Sequence, residues 1–202
     1  MKRIEISVLL AVVFSIVLSV CAINTECDEI RSNVLRLHVL ANSDSEKDQQ
    51  LKLRVRDRLL EVSKGLFSQT ATKEDAVRTA KENMNILQRE AQSVVDSCGD
   101  DYQVSVSLET CYFTTRSYDE ITLPAGNYEA LRVVIGKGEG HNWWCVMFPP
   151  LCVSAASDNE ALLSDVLTDE QMELVESDGY EVKFKCVELY EELMNYFSEK
   201  SK

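Results

Sequence analysis

Little in this chain of 202 residues suits it to metal or nucleic-acid chemistry. It has two histidines, His38 and His141, and no cysteine pairs at metal spacing, so a zinc centre lacks its usual ligands. Basic side chains are scarce. The 21 Lys and Arg face 34 Asp and Glu, a net charge of −13, the wrong sign for a surface that holds nucleic acid or, through charge alone, acidic lipid. Internal repeats and low-complexity linkers are missing as well. The 3 prolines and 2 tryptophans are few, and most of them fall in one stretch: Gly140-His141-Asn142-Trp143-Trp144-Cys145-Val146-Met147-Phe148-Pro149-Pro150-Leu151-Cys152. On a strand, neighbouring Trp side chains point to opposite faces, so one anchors the core and the other looks outward. The prolines end that strand, and the turn they make brings Cys145 towards Cys152.

What is present belongs to an exported globular protein. Lys2 and Arg3 precede an almost unbroken apolar run of 18 residues, Ile6 to Ile23. Val20-Cys21-Ala22 offers a signal peptidase small or tolerated residues, so residues 1–22 are expected to be a signal peptide or, uncleaved, an N-terminal membrane anchor. Leu18-Ser19-Val20-Cys21 also brushes the lipoprotein pattern, with Val20 a poor fit. Each reading places residues from 24 onward outside the cytoplasm, and leaves membrane contact to this segment alone. Without it the chain keeps 19 basic and 33 acidic side chains and 6 cysteines. An even cysteine count in an exported chain predicts a disulfide framework. Of its bridges only Cys145–Cys152 is assigned; the pairing of Cys27, Cys98, Cys111 and Cys186 stays open.

Alternation at Val34, Arg36 and His38 against Leu35, Leu37 and Val39 predicts a strand that is apolar on both faces, hence central. Ala41-Asn42-Ser43-Asp44-Ser45 breaks it with turn-formers. Ser45, with Asp48 three residues on, predicts a helix start, and Leu51, Val55, Leu59, Val62 and Leu66 form its apolar stripe, with Gly65 as a stop. A second helix is expected from Thr72, capped with Asp75, with Val77, Ala80, Met84, Leu87, Ala91 and Val94 on one stripe up to Cys98-Gly99. Strands follow at Val104–Leu108, Tyr112–Tyr118, Tyr128–Ile135 and Asn142–Phe148, with joins short enough for an antiparallel meander. Residues 154–202 hold 13 acidic and 4 basic side chains. Helices are expected there near Asp158–Val166, Asp169–Glu176 and from Cys186, with a short strand at Tyr180–Phe184. The fold class is thus α+β: a single domain with two N-terminal helices packed on a mixed, mainly antiparallel sheet, plus a C-terminal helical segment. Residues 28–153 form the core domain and 154–202 an acidic, mainly helical extension.

Each chemical motif has a plainer account. Gly136-Lys137-Gly138-Glu139-Gly140 looks like a phosphate loop, yet no helix follows and Glu139 would repel phosphate, so a hairpin connection is expected. Cys145 with His141 or His38 would make a secreted thiol or cell-wall hydrolase, but a nucleophile tied to Cys152 is dead. Asp44 and Asp48 lack calcium-loop spacing and are explained by capping. Lys47, Lys52, Arg54, Arg56 and Arg58 form a basic run that is either a solvated helix face or a docking surface for a partner's carboxylates. No catalytic residue, metal or cofactor is expected.

Two passages carry a family resemblance. One is Arg36-Leu37-His38-Val39-Leu40-Ala41-Asn42-Ser43-Asp44-Ser45-Glu46-Lys47-Asp48-Gln49-Gln50-Leu51-Lys52-Leu53-Arg54-Val55-Arg56-Asp57. The other is Leu123-Pro124-Ala125-Gly126-Asn127-Tyr128-Glu129-Ala130-Leu131-Arg132 through Gly136, running into Gly140-His141-Asn142-Trp143-Trp144-Cys145 and Pro149-Pro150-Leu151-Cys152. Over roughly residues 30–153 the chain resembles stage II sporulation protein R. That family often has proline where Glu46 stands, which suits a first helical position and supports Ser45 as the cap. The resemblance implies a protein that is not an enzyme. It would be made in the forespore and exported to the space between forespore and mother-cell membranes. There it would switch on a membrane-embedded aspartic protease that cleaves the pro-form of the mother cell's early sigma factor. The contact surface expected for that protease is Asn42, Ser43, Asp44 and Ser45 with Arg56, His141, Asn142, Trp143 and Trp144.

Overall fold

The computed structural model describes residues 2–68, 70–118, 121–149, 166–176 and 185. Its elements run α1 (Lys2–Ser32), β1 (Leu35–Leu40), α2 (Glu46–Leu66), α3 (Lys73–Glu82), α4 (Met84–Ser97), β2 (Val104–Phe113), β3 (Arg116–Tyr118), β4 (Ile121–Leu123), β5 (Gly126–Ile135), β6 (Asn142–Phe148) and α5 (Asp169–Glu176). They divide into two compact units, one built on β1, α2–α4, β2, β5 and β6, the other on α1, β3, β4 and α5.

In the first unit the sheet order is β2-β5-β1-β6. β1 is interior, as its two apolar faces require. It pairs in parallel with β5 (Leu37 opposite Leu131) and antiparallel with β6 (Leu37 opposite Cys145). Leu35, Leu37, Val39, Leu131, Val133, Ile135, Cys145 and Met147 turn to the helices and join Leu51, Val55, Leu59, Val77, Ala80, Leu87, Ala91 and Val95 in one core cluster. Each fully buried leucine there contributes about 1.5–3 kcal/mol. The opposite face of β1 carries Arg36 and His38. Arg36 is fully buried, donating from Nε to the Cys145 carbonyl at 3.1 Å and lying 4.9 Å from the Tyr128 ring centre.

Both helix starts follow the expected chemistry: Ser45 accepts from the Asp48 amide and Thr72 from the Asp75 amide. Three expectations need correction. The helix from Thr72 is two helices, because the backbone leaves the helical conformation at Asn83 (φ −105°, ψ 14°), whose side-chain amide donates to the Thr79 carbonyl at 2.8 Å. Within α4 the buried stripe runs at steps of four, Leu87, Ala91 and Val95, so Val95 and not Val94 is fully buried. Gly65 lies inside α2, which ends at Leu66 with Phe67 as its cap. The third concerns connectivity: β5 and β6 are not neighbours, since β1 lies between them, so residues 136–141 form no hairpin but pass over the end of β1.

In the second unit β3 and β4 form an antiparallel pair, Arg116 opposite Leu123, and the segment expected as one strand at 112–118 is shared between β2 and β3. Arg31, near the end of α1, is 5% exposed, donating to the Ala125 carbonyl at 2.9 Å and to Asp28 at 2.6 Å. Gly126 has φ +141° and no room for a Cβ against the Arg31 guanidinium. Gln171 of α5 donates to Glu29 at 2.8 Å. Ile4, Ile6, Val8, Leu9, Leu10, Val12, Phe14 and Leu18 of α1 are exposed, and Val20–Ala22 lie within the helix. Among the described residues no helix is long and apolar enough to cross a membrane; the side chains at 13, 16, 17, 20 and 21 lie outside them. The expected helix from Cys186, the strand Tyr180–Phe184 and residues 158–165 also lie outside the described residues.

Candidate functional site: a loop clasp beside an Arg–Trp ledge

The C-terminal ends of the parallel strands β1 and β5 point the same way, so the loops that leave them, 41–45 and 136–141, meet. Short polar side chains then do what a hairpin would otherwise do with backbone. Asn42 Oδ1 accepts from the Lys137 amide at 3.1 Å, and the Ala41 carbonyl accepts from the Gly140 amide at 2.9 Å. Asp44 accepts from the His141 amide at 2.6 Å and also contacts the His141 ring. Gly136, with φ +59°, donates to the Gln103 carbonyl at 2.9 Å, drawing in the loop before β2.

Asp48 is the hub behind this clasp. Only 3% exposed, it accepts from Ser43 Oγ at 2.6 Å and Asn42 Nδ2 at 2.9 Å, with Tyr102 a further donor. Burial pushes its carboxyl pKa up. The hydrogen bonds from Ser43, Asn42, Tyr102 and Ser45 outweigh that and hold it below the usual range. Asp44 is held low too, by the His141 amide first and its ring second. Lys52 donates to Gln49 Oε1 at 2.6 Å and to the His141 carbonyl at 2.8 Å, and burial lowers its pKa.

Beside the clasp, the Arg56 guanidinium lies over the Trp143 ring, 4.2 Å from its centre. The structure therefore brings together Asn42, Ser43, Asp44, Ser45, Arg56, His141 and Trp143. It separates Trp144, which turns to the other face of the sheet and meets His38 edge-on at 6.0 Å between ring centres. Both tryptophans are half-buried, so neither is the freely outward one that alternation suggested. Asn142 is exposed and hydrogen-bonds His38, whose pKa burial holds below its ordinary value. The roles of Asp48, Tyr102 and Gln49 in the clasp had no sequence signal beyond the capping position of Asp48.

The geometry assembles no thiol–imidazole pair from Cys145 and His38. Cys145 is 1% exposed and faces the helices. His38, paired in register with Trp144, faces the other way, and His141 is engaged with Asp44. The expected full disulfide framework also needs correction: Cys27, Cys98 and Cys111 stand outside any disulfide.

The sequence model of the stage II sporulation protein R family matches residues 31–158, a span that takes in β1 to β6 and the whole clasp. The stage II sporulation protein R of Bacillus subtilis (strain 168) is 33% identical over 187 residues, covering 82% of this chain and 84% of that protein. No solved structure matches.

Proposed function

The chain belongs to the stage II sporulation protein R family, and from that premise we propose that it is an exported, non-enzymatic signalling protein of endospore formation. It acts between the forespore and mother-cell membranes on a membrane-embedded aspartic protease, which then processes the pro-form of the mother-cell early sigma factor. The carrying observation is the family match across residues 31–158, which encloses the clasp and the Arg–Trp ledge as one folded surface. Export is supported by the exposed apolar side chains of α1 from Ile4 to Leu18, a run suited to a signal peptide or membrane anchor. We assign Cys152 as the disulfide partner of Cys145. Closing so short a loop stabilises by about 2.5 kcal/mol, so its main effect is to hold the end of β6 in one shape.

A ligand activates an enzyme only through its greater affinity for the active arrangement. The surface that supplies it here is Asn42–Ser45 with Arg56, His141, Asn142 and Trp143. The test is co-expression of this chain with the protease and its pro-sigma substrate in a host that has neither. Cleavage with the full chain, and none with a form lacking residues 1–22, is the expected result. Absence of cleavage with all three proteins folded and present would sink this reading.

A further inference from the structure

The structure sets Lys52 and Arg56 apart from the other basic residues of α2. The helix carries six basic against four acidic side chains in a chain of net charge −13, so it is locally inverted in sign. Lys47 pairs with Asp100, Arg58 bridges Glu61 and Glu90, and Arg54 donates to Cys98 Sγ at 3.4 Å. Lys47 and Arg58 are thus balanced by carboxylates, whereas Arg54 meets only a thiol, on the side of the helix facing α4. Lys52 and Arg56, one turn apart on the flank facing β6, are not balanced in the same way. Lys52 is 5% exposed and its hydrogen-bond acceptors, Gln49 Oε1 and the His141 carbonyl, are uncharged. Arg56, its side chain 19% exposed, has one carboxylate contact among the described residues: its sequence neighbour Asp57, through the single oxygen Oδ1, at 2.8 Å from Nε and 2.6 Å from Nη2. Asp44, the other nearby carboxylate, is engaged with His141.

Two further observations bear on what this spot is for. The flat face of Arg56 is set on Trp143, which orients the guanidinium rather than leaving it to sample solvent. Trp143 Nε1 is buried and meets no acceptor among the described residues, an uncommon state for an indole N–H. A pair of poorly compensated cations, an oriented guanidinium and an unmet indole donor lie together on one ledge.

We infer that the Arg56–Trp143 ledge, backed by Lys52, is the docking point for an Asp- or Glu-bearing segment of a partner protein. The carboxylate would be held by Arg56 against the field of Lys52, with apolar neighbours of that residue lying along the Trp143 ring. Arg and Trp are the side chains most enriched at the energetic centres of interfaces, and like charge elsewhere on this acidic chain would repel such a segment from other sites. The inference rests on the proposed function, in which that partner is the extracytoplasmic side of the protease.

The co-expression assay separates the two. Arg56→Glu is expected to lower substrate cleavage by about tenfold or more, since a buried charge contact is inverted. Arg56→Lys, which keeps the charge but loses the flat stack, should fall between it and the unsubstituted chain. Arg78→Glu makes the same charge change on α3 and should leave cleavage unaltered. Arg56→Gln serves if the Glu variant fails to fold, and is expected to lose cleavage in the same sense. In addition, tagged full chain should retain the detergent-extracted protease at low salt and release it as salt rises. No cleavage by the unsubstituted chain would defeat the functional reading itself. Normal cleavage by that chain together with full activity of Arg56→Glu or Arg56→Gln would overturn the ledge alone. Sedimentation showing a dimer of the purified chain that Arg56→Glu converts to monomer would also overturn it, because the occupant would then be a second copy.

Discussion

A Cβ on Gly140 would lie 2.5 Å from the carbonyl carbon of Ser43, and closer still to its oxygen. Backbone meets backbone there, and neither loop can yield without breaking the bonds from the Gly140 amide to Ala41 and from the His141 amide to Asp44. Gly140→Ala should therefore destabilise the fold by about 2–4 kcal/mol, in the range of strained or overpacked sites. Gly65→Ala is the matched contrast, being inside α2 with nothing within 4 Å of a new Cβ, and should stabilise by about 0.5–1 kcal/mol. Urea unfolding of the two variants checks both; equal midpoints would dispose of the clasp as a rigid contact.

Removal of the Asp48 carboxylate withdraws the common acceptor of Ser43 and Asn42 and a partner of Tyr102. Asp48→Ala should cost about 2–4 kcal/mol, mostly from donors left unmet in a buried place, and Asp48→Asn less. The acid limb of stability should change too. A carboxyl held low in the folded state contributes fully above its unfolded pKa of about 3.9, and loses that contribution as pH falls through its folded value. The variant's urea midpoint should accordingly vary less with pH below about 4 than that of the unsubstituted chain. An unchanged acid limb would mean that Asp48 is not the hub.

Local chemistry was readable in the sequence where it concerned residues a few positions apart. Ser45 with Asp48 and Thr72 with Asp75 announce helix starts because a cap needs only a hydroxyl and an amide three residues on. The central place of β1 was readable from apolar residues on both of its faces. Order within the sheet was not. That β1 separates β5 from β6 is decided by pairings about 95 to 110 residues apart, which alternation within a strand does not encode. Hence residues 136–141 looked like a hairpin and proved to be a crossover held by Asn42 and Asp44. The break at Asn83 was hidden by an apolar stripe that runs through it, since an asparagine bonding its own helix leaves the stripe nearly intact. The division of Trp143 and Trp144 between faces followed from strand alternation, but the Arg56 stack did not, as it joins α2 to β6 across the fold.

Thiol chemistry should report the disulfide directly. Cys98 and Cys111 are partly exposed, whereas Cys27 is fully buried. The Cys111 thiol is pushed up first by burial and then by Glu109. With iodoacetamide near pH 8, Cys98 should be alkylated first, Cys111 more slowly and Cys27 only on unfolding. Cys145 should stay unmodified until a reductant is added. Rapid labelling of Cys145 in the untreated protein, read by peptide mass, would revive the hydrolase reading.

His38 gives a second, milder pH response with the opposite origin to an ion pair. Burial is the largest influence on its ring and disfavours the cation; a hydrogen bond with Asn142 opposes this, while Arg132 reinforces it more than Glu109 counters it, with Arg36 adding a little in the same direction. Trp144 meets the ring edge-on. The folded pKa therefore lies below the unfolded value of about 6.5. As pH falls past that value the unfolded chain takes up its proton first, so stability is full above about 6.5 and declines as pH drops towards the folded pKa. Urea midpoints should thus decrease from pH 7.5 to 5.5, and His38→Gln should make that decrease smaller while costing some stability at both pH values. Should the substituted and unsubstituted chains lose stability equally between those two pH values, the response would belong to another group and not to the His38–Trp144 face of the sheet.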